Sequence, residues 1–240
     1  MAQFWWDPSM GDPGFVDLPF GYTAVLGEDV DGEPCLEFET TTNGATLYHG
    51  WPGAADSTAV DLFWEGRTSS SANWRYTGVL IKRITGSNNA YYAYNDRTDF
   101  IIGRAISQNS TTDLESTPGD GLVARSRNRC GYNNGVVTGR QWAPGDPEPG
   151  VQLEATDTTY PDAGAPGIYC RLTSGSMRFW LYAFGWGTDG DPAPTGPLGT
   201  TEAFALRHNP RLNKVIPVLS SPTVTDIGAA CVRPRVTKGY

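Results

Sequence analysis

An all-β sandwich of two antiparallel sheets is the fold this 240-residue chain predicts. Residues 76–106 and 167–186 alternate cleanly between inward and outward residue types. In the second segment Met177, Phe179, Leu181 and Ala183 share one parity, and Arg178, Trp180, Tyr182 and Phe184 the other. A period of two belongs to a strand with two different faces. The same period recurs in many short segments, and no long segment carries the helical period. Glycine (29) and proline (18) are abundant, as many strands joined by tight turns require.

Residues 1–34 are rich in Pro, Gly and Asp and read as an N-terminal arm with one strand near 22–26. Its Phe4, Trp5 and Trp6 are costly to expose, so they are expected to pack on the domain or dock on a neighbour. The sandwich is expected to fill 35–199. Residues 35–41 alternate through Leu36 and Phe38, and 45–49 make a short strand. Residues 59–68 set Val60, Leu62 and Trp64 against Asp61, Phe63 and Glu65. In 78–84, Val79 and Ile81 oppose Leu80 and Lys82. The Gly86-Ser87-Asn88-Asn89 turn then leads into 90–95 as a hairpin. Residues 99–106 carry Phe100, Ile102 and Arg104, and the polar stretch 107–120 reads as a surface loop. Residues 122–129 alternate small residues with Arg125, Arg127 and Arg129, and 131–135 is a turn. Pro144, Pro147 and Pro149 keep 143–150 out of regular structure. Strands at 151–156, 167–173 and 177–186 complete the set, with 173–176 joining the last two as a hairpin. Residues 200–240 read as a C-terminal extension, with a short helix at 200–208 capped by Thr200 or Thr201.

Hydrophobic residues make up 39% and aromatics 12%, enough for a core without disulfide staples. The net charge of −8 argues against a nucleic-acid partner, which calls for a basic stripe. No basic and apolar leader opens the chain and no stretch is long enough to span a membrane. The expectation is a protein made in a cytoplasm and kept there or released inside a larger particle. Cys35, Cys130, Cys170 and Cys231 are far apart and are expected to be buried free thiols.

Five segments carry a resemblance: Ala59-Val-Asp-Leu-Phe-Trp64, Gly78-Val-Leu-Ile-Lys-Arg83, Tyr91-Tyr-Ala-Tyr94, Gly167-Ile-Tyr-Cys-Arg171 and Arg178-Phe-Trp-Leu-Tyr182. Their order resembles concanavalin A-like jelly rolls of the laminin-G type over about residues 35–190. The run Gly187-Thr-Asp-Gly-Asp-Pro-Ala-Pro194, with Val218-Leu-Ser-Ser-Pro222 after it, resembles bacteriophage virion proteins that carry such a domain. The resemblance implies a two-sheet jelly roll, calcium at a rim in some members, and carbohydrate binding as the commonest non-catalytic use.

Jelly rolls of this kind include glucanases, whose paired carboxylates alternate along one strand. Here the nearest run is Glu28-Asp29-Val30-Asp31-Gly32-Glu33, which has the wrong spacing and sits in a turn. Only His49 and His208 could serve as imidazole bases, and no serine elbow or phosphate loop occurs. No catalytic residues are therefore assigned. Asp29, Asp31, Asp189 and Asp191 place oxygen ligands in turns and are the candidates for calcium, though turns favour Asp in any case. Sugar contact needs exposed aromatics, and Trp74, Trp142, Tyr92 and Tyr94 are the candidates. Arg125, Arg127 and Arg129 either pair with carboxylates on neighbouring strands or dock an acidic partner. These features predict a non-enzymatic structural component of a phage virion, on head or tail, present in many copies and held to other virion proteins by its terminal arms. The alternatives are a module that binds host-surface glycan, or a glycan hydrolase.

Overall fold

The computed structural model describes residues 3–69, 75–96, 98–107, 110–119, 124–173 and 175–198. The expected extension 200–240, its helix, Cys231 and Trp74 lie outside the described residues. Two antiparallel sheets form the sandwich. The larger contains β1 (Gln3–Trp6), β2 (Thr23–Glu28), β3 (Pro34–Thr40), β5 (Val60–Thr68), β10 (Ser126–Asn133), β11 (Val136–Trp142), β12 (Leu153–Thr156) and β14 (Met177–Thr188). Its order is β12-β11-β10-β5-β14-β3-β2, with β1 pairing the far end of β14. The smaller contains β4 (Thr46–Gly50), β6 (Arg75–Ile84), β7 (Ala90–Asn95), β8 (Asp99–Ser107), β9 (Ser110–Pro118) and β13 (Gly164–Leu172), in the order β4-β13-β6-β7-β8-β9. Among the described residues no helix is long and apolar enough to cross a membrane.

The alternation in the sequence builds the core. Leu36, Phe38, Leu62, Trp64, Phe179 and Leu181 point inward from the larger sheet, and Leu47, Val79, Ile81, Phe100, Ile102 and Ile168 meet them from the smaller. Burial of this apolar area is the main stabilising effect. Cys35, Cys130 and Cys170 are buried free thiols.

Four expectations are corrected. The expected arm 1–34 contains two strands of the larger sheet: β1 pairs β14 and β2 pairs β3. Trp5 and Trp6 are buried, and Phe4 stacks on Trp186 at 3.9 Å, so the three aromatics are used within the sandwich. The expected loop 107–120 contains β9, an edge strand paired with β8. β13 and β14 lie in different sheets, so they do not form the expected hairpin. The parity of β14 also changes midway. A register shift against β5 between Leu181 and Ala183 turns Ala183 outward and brings Phe184 and Trp186 into the core. A bulge of this kind adds one residue and swaps the faces beyond it.

One cation lies in the core. Lys82 is 0% exposed. Its ammonium donates to the Tyr160 carbonyl at 2.9 Å and stands 3.6 Å from the centre of the Tyr132 ring. Tyr91 stacks on Tyr132 at 4.6 Å and closes a second side of this aromatic cage. Burial pushes the Lys82 amine down to about 8 from its ordinary 10.5. Above about pH 8 the folded chain sheds a proton that the unfolded chain keeps, so stability rises with pH. Near pH 10 the buried tyrosines act in the opposite direction. Tyr22, Tyr92 and Tyr94 are held neutral by burial in the fold but ionise once unfolded. Denaturant melts between about pH 7 and pH 10 should show the rise, and Lys82→Met should flatten it. A flat profile in the parent protein would contradict this account of Lys82.

Candidate functional site

The outward face of the larger sheet carries a cluster of paired charges. Along β5 the outward residues are Asp61, Phe63, Glu65 and Arg67, and along β10 they include Arg127 and Arg129. Arg125, just before β10, reaches Glu65 at 2.5 Å and also binds Glu33. Arg127 reaches Glu65 at 2.9 Å, and Arg129 reaches Asp61 at 2.6 Å. The arginine row therefore pairs with carboxylates, largely on the neighbouring strand. Arg125 also lies 3.9 Å over the Tyr182 ring.

The acidic turn 29–33 belongs to the same face. Arg67 binds both Asp29 and Asp31 at 2.6 Å. The Tyr182 hydroxyl donates to Asp29 at 2.5 Å, and the backbone N–H groups of Asp31 and Glu33 donate to its other oxygen. Burial alone would raise the Asp29 carboxyl. These donors and the Arg67 charge overcome it and hold the group at about 2. Arg67 thus engages both Asp29 and Asp31, two of the calcium candidates. Asp189 accepts from the Ser57 hydroxyl at 3.1 Å, and Asp191 lines a separate cleft. Among the described residues no three His, Cys, Asp or Glu side chains gather at a distance suited to a metal ion.

That cleft is about 580 Å³ in volume. Asp61 of β5, Arg129, Gly131 and Asn133 of β10, and Thr138 and Arg140 of β11 form its floor and one side. Gly190, Asp191 and Pro192 form the other side. Local sequence explains how the floor is built. Asn134 (φ 48) and Gly135 (φ 83) both adopt left-handed backbone, the geometry of a two-residue hairpin turn. The turn folds β11 back on β10 and sets Arg140 directly across from Arg129. Two like charges in that register repel. Glu148, from the proline-rich segment 143–150, answers both: its Oε1 lies 2.8 Å from Arg129 and 3.0 Å from Arg140. The carboxylate of Asp61 accepts from Arg129 at 2.6 Å and from the backbone N–H of Ala193 at 2.7 Å. Burial raises its pKa above the ordinary carboxylate value, and the pull of Arg129 and Ala193 only partly offsets that.

The aromatic candidates are placed differently. Tyr92 (0% exposed) and Tyr94 (4%) lie on the outward face of the smaller sheet and donate to the same oxygen of Asp113, at 2.9 and 3.1 Å. Buried in this way, neither offers a ring face to a sugar, which corrects that expectation. Trp142 ends β11 rather than lying in a loop. It packs on Phe63 at 6.0 Å, and its 8% exposed ring lines a second pocket. Sequence reading picked out Arg129, Asp191 and Trp142 but passed over Asp61, Asn133, Thr138 and Arg140. The signal that could have found them is Asn134-Gly135, which pairs β11 with the arginine strand.

No protein-family model matches the sequence, and no curated protein matches it. The chain is similar in structure to a functionally unknown protein from Saccharomyces cerevisiae, with 12% identity, 73% of this chain and 97% of that chain covered, and a TM-score of 0.46. It is similar to alginate lyase A1-II', a member of polysaccharide lyase family 7, with 15% identity, 70% and 85% covered, and a TM-score of 0.45. It is also similar to carbohydrate-binding module CBM66 from Bacillus subtilis, with 10% identity, 70% and 92% covered, and a TM-score of 0.40. Likeness at this level is one of general outline. The functional reading therefore rests on the residues of this chain.

Proposed function

We propose that this protein is a non-catalytic glycan-binding sandwich, and that its ligand is a neutral saccharide lying in the Asp61–Arg129–Arg140 cleft. The observation that supports this is the set of groups converging there. Guanidinium and amide donors, carboxylate acceptors and the Thr138 hydroxyl line one concave space, the complement of neighbouring sugar hydroxyls. The charges favour a neutral ligand. Arg129 and Arg140 stand against Asp61, Asp191 and Glu148, which leaves no cationic surplus for a uronate or sulfate. The net charge of −8 adds long-range repulsion of polyanions. Docking within a particle is less well supported. Residues 3–28, which would serve as its arm, contribute strands to the sheet, and the arginine row is engaged internally.

A glycan array followed by calorimetry tests the proposal. Neutral glycans should be retained, and Arg140→Ala should weaken the best of them at least about tenfold, the effect of losing one charge-assisted hydrogen bond of about 1.5–3 kcal/mol. The Arg140 side chain is partly exposed, so the melting temperature should hold. Retention of acidic glycans alone, or of none, would overturn the reading. A second reading is glycan hydrolysis, because Asp61 and Asp191 are two carboxyl groups lining one cleft. New reducing ends on incubation with polysaccharide, abolished by Asp61→Asn, would favour that reading over simple binding.

A further inference from the structure

We infer that two copies of this chain join edge to edge through β2, antiparallel about a two-fold axis at Val25, so that their larger sheets run on as one. The inference stands apart from the glycan reading. β2 ends the larger sheet and pairs with β3 alone among the described strands. The Asp29 N–H donates to the Glu33 carbonyl at 2.9 Å, and the register runs unbroken from there to Thr23 opposite Glu39. Bonded and unbonded pairs alternate along an antiparallel ladder, so the backbones of Thr23, Val25 and Gly27 bond β3. Ala24 and Leu26 therefore aim their N–H and C=O groups at the open side, where no described residue pairs with them. The other edges are guarded. β9 carries Asp113, Glu115, two register shifts and a terminal Pro118. β1 and β12 have four residues each, and the Pro19–Gly21 turn packs against the short β4. Charge, bulges, shortness and cover all discourage edge pairing. β2 has six residues and no charge before Glu28.

The edge is complementary to itself. Phe20, Val25 and Val30 are 52%, 58% and 73% exposed. Phe20 and Val30 each stand five positions from Val25. An axis at Val25 sets that residue against its own copy and brings Phe20 level with Val30 of the second copy at both ends. Ala24 then exchanges backbone hydrogen bonds with Leu26 of the second copy. Phe20 also holds left-handed backbone (φ 55), a strained state for an aromatic residue, and such strain clusters at functional sites. Charge permits this register as well. Each chain carries −8, so two copies need a neutral seam. Residues 20–27 bear no charge, and Glu28 falls level with Tyr22 of the second copy. The two Glu28 residues then lie roughly 20 Å apart, beyond the screening length of physiological salt. The contact is smaller than the roughly 1,200 Å² that stable complexes bury, so a weak dimer is expected, with a Kd of about 1–100 μM. Because the axis stands perpendicular to the sheet, the two clefts open on the same side.

Sedimentation velocity on the full chain, from about 1 to 200 μM, provides the test. The parent should pass from monomer to dimer across that range. Val25→Lys and Val25→Glu should each weaken association at least about tenfold, because the axis places like charges face to face. The Val25 side chain is exposed, so their melting temperatures should match the parent's. An equimolar mixture of the two variants should recover the dimer, since only a residue that meets its own copy can be rescued by opposite charges in this way. Val151→Lys, at an exposed valine far along the chain, is the control and should dimerise as the parent does. A parent that stays monomeric throughout overturns the inference. So does a dimer indifferent to Val25→Lys, a mixture that fails to recover, or an equal loss in Val151→Lys.

Discussion

Trp51→Ala is expected to destabilise the fold by about 3–5 kcal/mol, in the range for truncating a large buried aromatic residue. Trp51 follows β4 and is 3% exposed. Its ring stacks on Phe184 at 4.1 Å with planes 5° apart. It also meets Phe15 at 5.3 Å, Trp6 at 5.6 Å and Trp186 at 6.2 Å. The residue therefore joins the N-terminal segment, the smaller sheet and the inward half of β14. Its loss leaves a cavity that rigid neighbours on several sides cannot collapse to fill. For a domain of this size the change amounts to roughly 6–20 °C in melting temperature. Hydrogen exchange should show the β1 amides losing protection as well. A loss below about 1 kcal/mol in a denaturant melt would refute this role for Trp51.

Gly78→Ala is expected to cost as much as overpacking does at its upper end, about 3 kcal/mol or more. Gly78 lies in β6 between Tyr169 of β13 and Tyr94 of β7. A Cβ there would stand 2.1 Å from the Ala93 carbonyl oxygen and 2.5 Å from the Tyr94 Cα. Both are backbone atoms of a central strand and cannot rotate aside. The bare position also lets the rings of Tyr94 and Tyr169 approach to 5.8 Å across the strand. Gly27→Ala in β2, where a Cβ meets nothing within 4 Å, is the control and should be close to neutral. Equal effects at the two positions would show that glycine propensity, not close approach, governs β6.

The sequence was legible where each strand has one apolar face. β5 and the first half of β14 follow directly from their alternation, because inward and outward residues differ in type. β9 was not legible. It is an edge strand with both faces largely in solvent, so Ser110–Pro118 has the composition of a loop. β11 was hidden for a different reason. Its inward positions include Gly139 and Gln141, neither of which signals a core. Gly139 is required because Phe100 and Ile102 of the facing sheet come within 3 Å of where its Cβ would lie. Gln141 is satisfied by buried amides that lie remote in the chain. The crossing between β13 and β14 was misread because local pattern shows that a strand exists but not which sheet it joins. The cleft was partly legible for the same reason. Arg129 and Asp191 stand out in the sequence, but Asp61 gains its meaning from Ala193 and Arg140 from Glu148.

The register shift in β14 has an architectural effect beyond the core. Past it, Ala183, Gly185 and Gly187 face outward and leave a smooth strip along the sheet. The returning chain lies directly on that strip: the Asp191 carbonyl oxygen comes within 2.2 Å, and the Pro194 carbonyl oxygen within 2.8 Å, of where side chains on Gly187 and Gly185 would begin. The flank of the cleft at 190–192 is thus laid over a finished pleat and is not woven into it. Residues 190–192 are therefore a stretch whose side chains can change while the sandwich beneath keeps its shape.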